Sequence, residues 1–392
     1  MRRKHIVAFA LLTALFACLF PIRALSEEYG WADGGEKFYT VNLESGEALF
    51  SVGGAVYTGD EYIASDNKRY KVMRIDDENY TAVAMYDGDE EMPNIDWLKN
   101  ASVDFSVAAS TGGGKNDAND NNNNKGDKKV AIYSTHTDES YVPTDGTSSK
   151  DSGGGILDVA KALKSSFEKL GVKADIDTTS HLPHDNGAYR RSRQTAAKLM
   201  EKLPDALIDV HRDGIPNANE YNEKVNGKNV TAVRLLVGRS NQNSAANREF
   251  AKEVKAVADH QYPGLVKDIF IGKGTYNQDL TPNAILLEFG THTTSKERAI
   301  ASTDMIATAI TSVLYGSGSA AGGRASSRGN SGVGKGIIAL LIFVVVAAVV
   351  FAFLQTGTGR GMWDKLKRGT SEVTGGLVGK KPHEGEGEGE TE

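Results

Sequence analysis

An α/β fold, with a mostly parallel sheet covered by helices on both faces, is the architecture predicted for the central part of this chain. Two observations predict it. Between residues 129 and 316, short apolar runs of strand character alternate with stretches of helical periodicity, the pattern of parallel strands joined by crossover helices. That segment, about 190 residues, is also long enough to bury a single core of this kind. A small β domain is expected before it and one transmembrane helix after it.

The first 26 residues read as an export signal. Arg2, Arg3, Lys4 and His5 form a charged start, Ile6–Phe20 is almost wholly apolar, and Ala24-Leu25-Ser26 suits cleavage before Glu27. Leu15-Phe16-Ala17-Cys18 also resembles a lipoprotein box, but the apolar run continues past the cysteine, so lipidation ranks below cleavage, with retention as an anchor third. Cys18 is the only cysteine of the 392 residues. A disulfide framework and a thiolate zinc site are therefore excluded, and any metal must be held by histidines and carboxylates.

Residues 27–105 alternate strand-like runs such as Phe38–Val41, Tyr70–Met73 and Thr81–Met85 with Gly and Asp turn signals. With 18 acidic against 6 basic residues over 27–104 and no histidine, this small acidic β domain is expected to be a spacer or partner-binding module. Residues 106–128, rich in Gly, Asn, Asp and Lys, cannot bury enough apolar area to offset chain entropy and read as a disordered linker.

In the 129–316 domain the expected strands are Val130–Tyr133, Ala206–Val210, Val233–Val237 and Ala284–Leu287. The expected helices are Ile156–Leu170, stopped by Gly171, and Ser244–Gln261. Its charges balance at 23 basic against 23 acidic, and the whole chain carries −6. Neither figure gives a basic footprint for nucleic acid. Residues 317–335 form a second flexible linker. Ile337–Leu354 then provides eighteen consecutive apolar residues, close to the ~20 that cross a bilayer, so a transmembrane helix is expected over 336–355. The 356–392 tail opens with Arg and Lys, which favours a cytoplasmic location for it. Signal and span together place the middle of the chain on the extracytoplasmic side of a cell membrane, as a single-pass protein.

Ligands of open α/β sheets collect beyond the carboxyl ends of the strands. Three expected strands deliver suitable groups there: Val130–Tyr133 leads to His136 and Glu139, Ala206–Val210 to His211, and Ala284–Leu287 to Glu288. Two imidazoles and a carboxylate with one open position is the catalytic zinc pattern, and a further carboxylate can accept the proton of the bound water. His181 and His184, spaced HxxH in THLPHDNG, are a rival pair, read as rim residues that are substrate-side or incidental. His260 falls on a helix surface, and His292 lies just past Glu288 without an assigned role.

The stretches STHTDESY, Gly153-Gly154-Gly155 ahead of a helix, YRRSRQ, IDVHRDG and YNQDLTPNAILLEFG, in this order from about Val130 to Tyr315, resemble the catalytic domain of the stage II sporulation protein P family. TGDEYIASDNKRYKV is similar to the N-terminal region of such proteins. The resemblance implies a zinc amidase-like fold and a zinc-dependent cell-wall hydrolase. Its activity would be that of an N-acetylmuramoyl-L-alanine amidase with associated endopeptidase activity, acting on peptidoglycan during forespore engulfment. Its partner would be stage II sporulation protein D, a lytic transglycosylase. Carried over, His136 and His211 are zinc ligands and Glu288 the catalytic glutamate. The third ligand is Glu139, in the HxxE spacing of zinc carboxypeptidases, or Asp151, at the position the wider class of wall amidases uses. Arg212 is a candidate oxyanion partner, with a salt bridge to Asp209 or Asp213 as its alternative. Tyr276, Asn277, Gln278 and Asp279 are candidate substrate contacts, with loop structure as theirs. The C-terminal span departs from the N-terminal anchor expected of the family. Two other functions compete: a carboxypeptidase-type zinc peptidase acting on wall peptides, and a catalytically inactive, membrane-anchored wall-binding protein.

Overall fold

A computed structural model describes residues 37–100, 128–185 and 187–316. The signal segment, most of the first linker, the second linker, the apolar 336–355 stretch and the tail lie outside the described residues. Among the described residues no helix is long and apolar enough to cross a membrane.

The strands are β1 (Tyr39–Leu43), β2 (Ala48–Val52), β3 (Glu61–Ile63), β4 (Lys68–Asp76), β5 (Thr81–Asp89), β6 (Lys129–Tyr133), β7 (Lys173–Ile176), β8 (Ala206–Asp213), β9 (Asn222–Val225), β10 (Lys228–Thr231), β11 (Val233–Gly238), β12 (Val266–Gly272) and β13 (Ala284–Thr291). Strands β9 and β10 form a separate hairpin, and the other eleven form one sheet in the order β2-β1-β5-β4-β3-β12-β11-β13-β8-β6-β7. From β12 to β7 every pairing is parallel except that of β11 with β13. The mostly parallel α/β sheet is therefore present.

Helix Ile156–Lys169 buries Ile156, Val159, Ala160, Leu163 and Phe167, the stripe its sequence period requires, and Gly171 follows it at φ 73. Together with helices Ser244–Gln261 and Lys296–Tyr315 it covers one face of the sheet, packing on Ile132, Ile208, Val210, Leu235, Ile285 and Leu287. The opposite face is covered differently from the expectation. Helix Ala188–Met200 packs Ala196 and Leu199 on Ala131, Tyr133 and Leu207. Farther along that face, Val41, Phe50, Val52 and Tyr62 of the N-terminal strands share a core with Leu236, Phe270 and Leu286.

The N-terminal strands are thus continuous with the main sheet. Ile63, Tyr62 and Glu61 of β3 pair antiparallel with Ile269, Phe270 and Ile271 of β12, and the aromatic residues of β2 and β3 cover apolar side chains that the central strands present on that face. The acidic composition of this segment hid this pairing: most of its charged residues are exposed, with Asp60 buried, while Val41, Phe50, Val52 and Tyr62 turn inward.

A candidate metal centre on one face of the sheet

Side chains alternate between the two faces of a strand. In β8, Ala206, Ile208 and Val210 face the three helices, and Leu207 faces the opposite side. Asp209, His211 and Asp213 therefore share the face of Leu207. In β13, Leu286 lies on that same face, which places Glu288 there too. Glu288 pairs in register with His211 on one side and with Arg234 on the other, and Arg234 pairs with Asp268. A polar row, Asp268–Arg234–Glu288–His211, crosses four strands. The register of β13 shifts immediately after Glu288, at Gly290 (φ 78), a bulge of the kind that re-aims side chains beside functional sites.

His136 and Glu139 come from the loop after β6. The Asp209 carboxylate fixes its start, accepting from the Thr135 N–H at 2.8 Å and the Thr135 hydroxyl at 2.7 Å. The glycines near Asp151 permit its end. A Cβ on Gly154 would stand 2.0 Å from the Glu139 carbonyl oxygen, so only glycine lets the loop dock on the following helix. Gly154 N–H donates to the Thr137 carbonyl, and Ile156 N–H to that of Glu139.

These constraints bring His136, Glu139 and His211, all buried, into one group with a ligand atom from each within 4.8 Å of the others. Glu139 Oε1 lies 3.3 Å from His136 Nδ1 and 3.2 Å from His211 Nδ1. Tetrahedral zinc with donors at about 2.0–2.1 Å holds neighbouring donor atoms about 3.3 Å apart, so the set fits such an ion. Nε2 of His211 is 3.0 Å from Asp209 Oδ1, the carboxylate support typical of metal-binding imidazoles. Glu139 Oε2 accepts the Arg212 N–H at 2.9 Å. His136 Nε2 and Glu288 Oε2 are among the buried side-chain atoms with no hydrogen-bond partner.

The electrostatics point the same way. Burial and the neighbouring His184 and His211 hold His136 down to about 4, so it presents a lone pair at neutral pH. Burial opposes a charge on His211 as well, but Asp209 and Glu139 outweigh it and push its pKa well up. The same two carboxylates would favour a divalent cation at that point. Glu139 is held well below the usual carboxylate range, because His211 and His136 overcome its burial. Glu288 goes the other way: burial, then the charge of Asp213, raise its proton affinity well above normal. Two carboxyl groups on one face thus have opposite tendencies, one to stay ionised and one to carry a proton, which is how acid–base roles are divided.

Asp151 is exposed and outside the group. Glu139→Gln is therefore expected to reduce bound zinc severely and Asp151→Asn to leave it unchanged, measured by metal analysis of the purified proteins. The reverse pattern would exchange their roles.

The other candidates sit elsewhere. Arg212 points to the helix-covered face, where its guanidinium donates to the carbonyl oxygens of Ser140, Ser148 and Asp213. It braces the loop of Glu139 and makes neither the oxyanion contact nor an Asp side-chain bridge, because it follows His211 by one residue in a strand. Tyr276 and Asn277 adopt left-handed backbone (φ 50 and 54). The Asn277 amide donates to Tyr189 O and Ser192 Oγ, and the Gln278 amide bonds to Gly238 N and Leu236 O. Asp279 makes a two-pronged pair with Arg193. Asn277, Gln278 and Asp279 thus make contacts within the protein, and Asn277 fixes the start of helix Ala188–Met200. His181 is satisfied at both nitrogens by Ser134 O and Thr195 Oγ1, and His260 is exposed.

Sequence reasoning missed Asp209, Asp213, Arg234 and Tyr189. Tyr189 stacks on His211 (centroids 6.3 Å apart, 18° between planes) and meets His136 edge-on at 5.6 Å. The spacing of Asp209, His211 and Asp213 at every second residue of a strand was the available signal for the first two.

The family model of stage II sporulation protein P matches residues 57–311. Stage II sporulation protein P of Bacillus subtilis (strain 168) is 32% identical over 185 residues, covering 42% of this chain and 46% of that protein. The match therefore spans less than half the length of that relative. Among solved structures, an N-acetylmuramoyl-L-alanine amidase of Nostoc punctiforme is similar with TM-score 0.33 and 16% identity, over 48% of this chain and 98% of that one. An N-acetylmuramoyl-L-alanine amidase from Clostridium difficile 630 is similar with TM-score 0.30 and 19% identity, over 47% and 92%.

Proposed function

Because this chain belongs to the stage II sporulation protein P family, we propose that it is a zinc-dependent peptidoglycan hydrolase, an N-acetylmuramoyl-L-alanine amidase with endopeptidase capacity. The observation that carries the proposal is the convergence of His136, Glu139 and His211 on one buried point, with Glu288 next to His211 on the adjoining strand. Zinc held by those three side chains would supply a Lewis acid for the scissile carbonyl and bring the pKa of a bound water to about 7. Glu288 would accept a proton from the attacking water and return it to the L-alanine nitrogen as the amide to the lactyl group of N-acetylmuramic acid breaks. Asp209 orients His211, and the Arg212 amide orients Glu139.

The expected setting is extracytoplasmic. With the apolar 336–355 stretch as a single membrane span, the enzyme would work from a tether in the space between forespore and mother cell, alongside a stage II sporulation protein D-like lytic transglycosylase. Digestion of purified muropeptides tests the reaction. Release of the intact stem peptide from muramic acid is expected. Loss of one terminal residue instead would assign a carboxypeptidase, and no cleavage by zinc-loaded protein would leave only wall binding.

A further inference from the structure

We infer that His184 is a substrate-contacting residue: its Nε2 forms a hydrogen bond with a polar group of the muramoyl peptide beside the metal. The inference rests on the amidase reading of the site. His184 lies on the loop before helix Ala188–Met200, with its imidazole stacked on that of His136 at 3.9 Å between centroids and 17° between planes. It is therefore one ring's thickness from a metal-binding imidazole.

Its orientation is set from the other side. Asp138, between the two loop ligands, places its carboxylate oxygens 3.0 and 3.1 Å from His184 Nδ1 and is itself held by Ser149 Oγ at 2.6 Å. An ionised carboxylate only accepts, so Nδ1 carries a hydrogen and Nε2 is the ring nitrogen left for another partner. Among the described residues Nε2 meets no hydrogen-bonding partner, and the side chain keeps 13% of its surface exposed. The contrast with His181, three residues earlier and satisfied at both nitrogens, separates an imidazole that holds the fold from one with a nitrogen still open.

The loop is also braced. Arg191 donates to the carbonyls of His181 and Pro183 and to the Asp185 carboxylate. A preformed contact of this kind loses little freedom when substrate arrives.

The test measures binding without turnover. In a Glu288→Gln background, adding His184→Ala is expected to weaken binding of a purified disaccharide–tetrapeptide muropeptide about tenfold, as loss of one hydrogen bond would. His184→Gln, whose amide oxygen can occupy the Nε2 position, should restore most of it. Zinc content and urea midpoint should not change in either. Equal binding by all three proteins would overturn the inference, as would loss of zinc in His184→Ala, which would make His184 a ligand. If the parent enzyme releases no stem peptide, the amidase reading fails instead, so the two failures are told apart.

Discussion

Glu288→Gln is expected to slow peptidoglycan hydrolysis about a thousandfold, the middle of the range for a lost general acid–base, with bound zinc retained. Glutamine has the same shape and fits the same place in β13, so the pairing of Leu286 to Glu288 with β8 and β11 survives. The ligand group is complete without residue 288, so the metal has no reason to leave. What disappears is the ability to hold a proton between attack and departure. Initial rates on intact sacculi, with metal analysis of the same preparations, measure both halves. Activity within tenfold of the parent, or zinc lost with the rate, would remove Glu288 from the proton-transfer role. His211→Ala makes the contrast: there zinc and activity should fall together.

Much of this site could be read from strand ends. Val130–Tyr133, Ala206–Val210 and Ala284–Leu287 were expected as strands, and their C-terminal residues are the ones that meet. Periodicity gave helices Ile156–Lys169 and Ser244–Gln261 as well, since an amphipathic stripe is a local property, but not Ala188–Met200 or Lys296–Tyr315. It did not decide between Glu139 and Asp151. Their placement depends on how closely the loop after β6 approaches the next helix, a contact that Gly154 permits and that is visible only in three dimensions. Arg212 shows the opposite failure. Adjacency to His211 in sequence suggested a shared site, yet in a strand adjacent residues face opposite ways. Residues 276–279 were hard to read for a related reason: a polar loop gives no sign in sequence that its Asn277 and Gln278 amides bond to Tyr189, Ser192, Leu236 and Gly238.

The N-terminal strands were the least legible part. Their attachment uses contacts separated by well over a hundred residues, such as Gly53 N–H to Asp213 at 2.7 Å and Arg234 to the Ser51 carbonyl at 2.9 Å. No local pattern in either segment announces them. A Cβ on Gly53 would lie 2.4 Å from the backbone of Gly214, so that contact is made backbone to backbone.

Arg234→Leu is expected to cost about 3–5 kcal/mol of folding stability, as removal of one partner from a buried ion network does. Arg234 is wholly buried, with two bonds to Asp268 (2.7 and 3.0 Å) and one to Asp213 (2.7 Å). Leucine would leave Asp268 with Lys267 alone, 3.3 Å away, and Asp213 with the Tyr221 hydroxyl and the Gly53 amide but no cation. Against a typical domain stability of about 5–15 kcal/mol that is a large fraction, and urea denaturation of the zinc-free protein would measure it. A loss below about 1 kcal/mol would mean that water or rearrangement replaces the guanidinium, contrary to the burial seen here. Pairing Arg234→Leu with Asp268→Leu should recover part of the loss, because an apolar pair no longer strands a charge. It should not recover catalysis. Asp213 still needs its cation, and Glu288, in register with Arg234 on the next strand, would then feel the charge of Asp213 with only His211 to offset it.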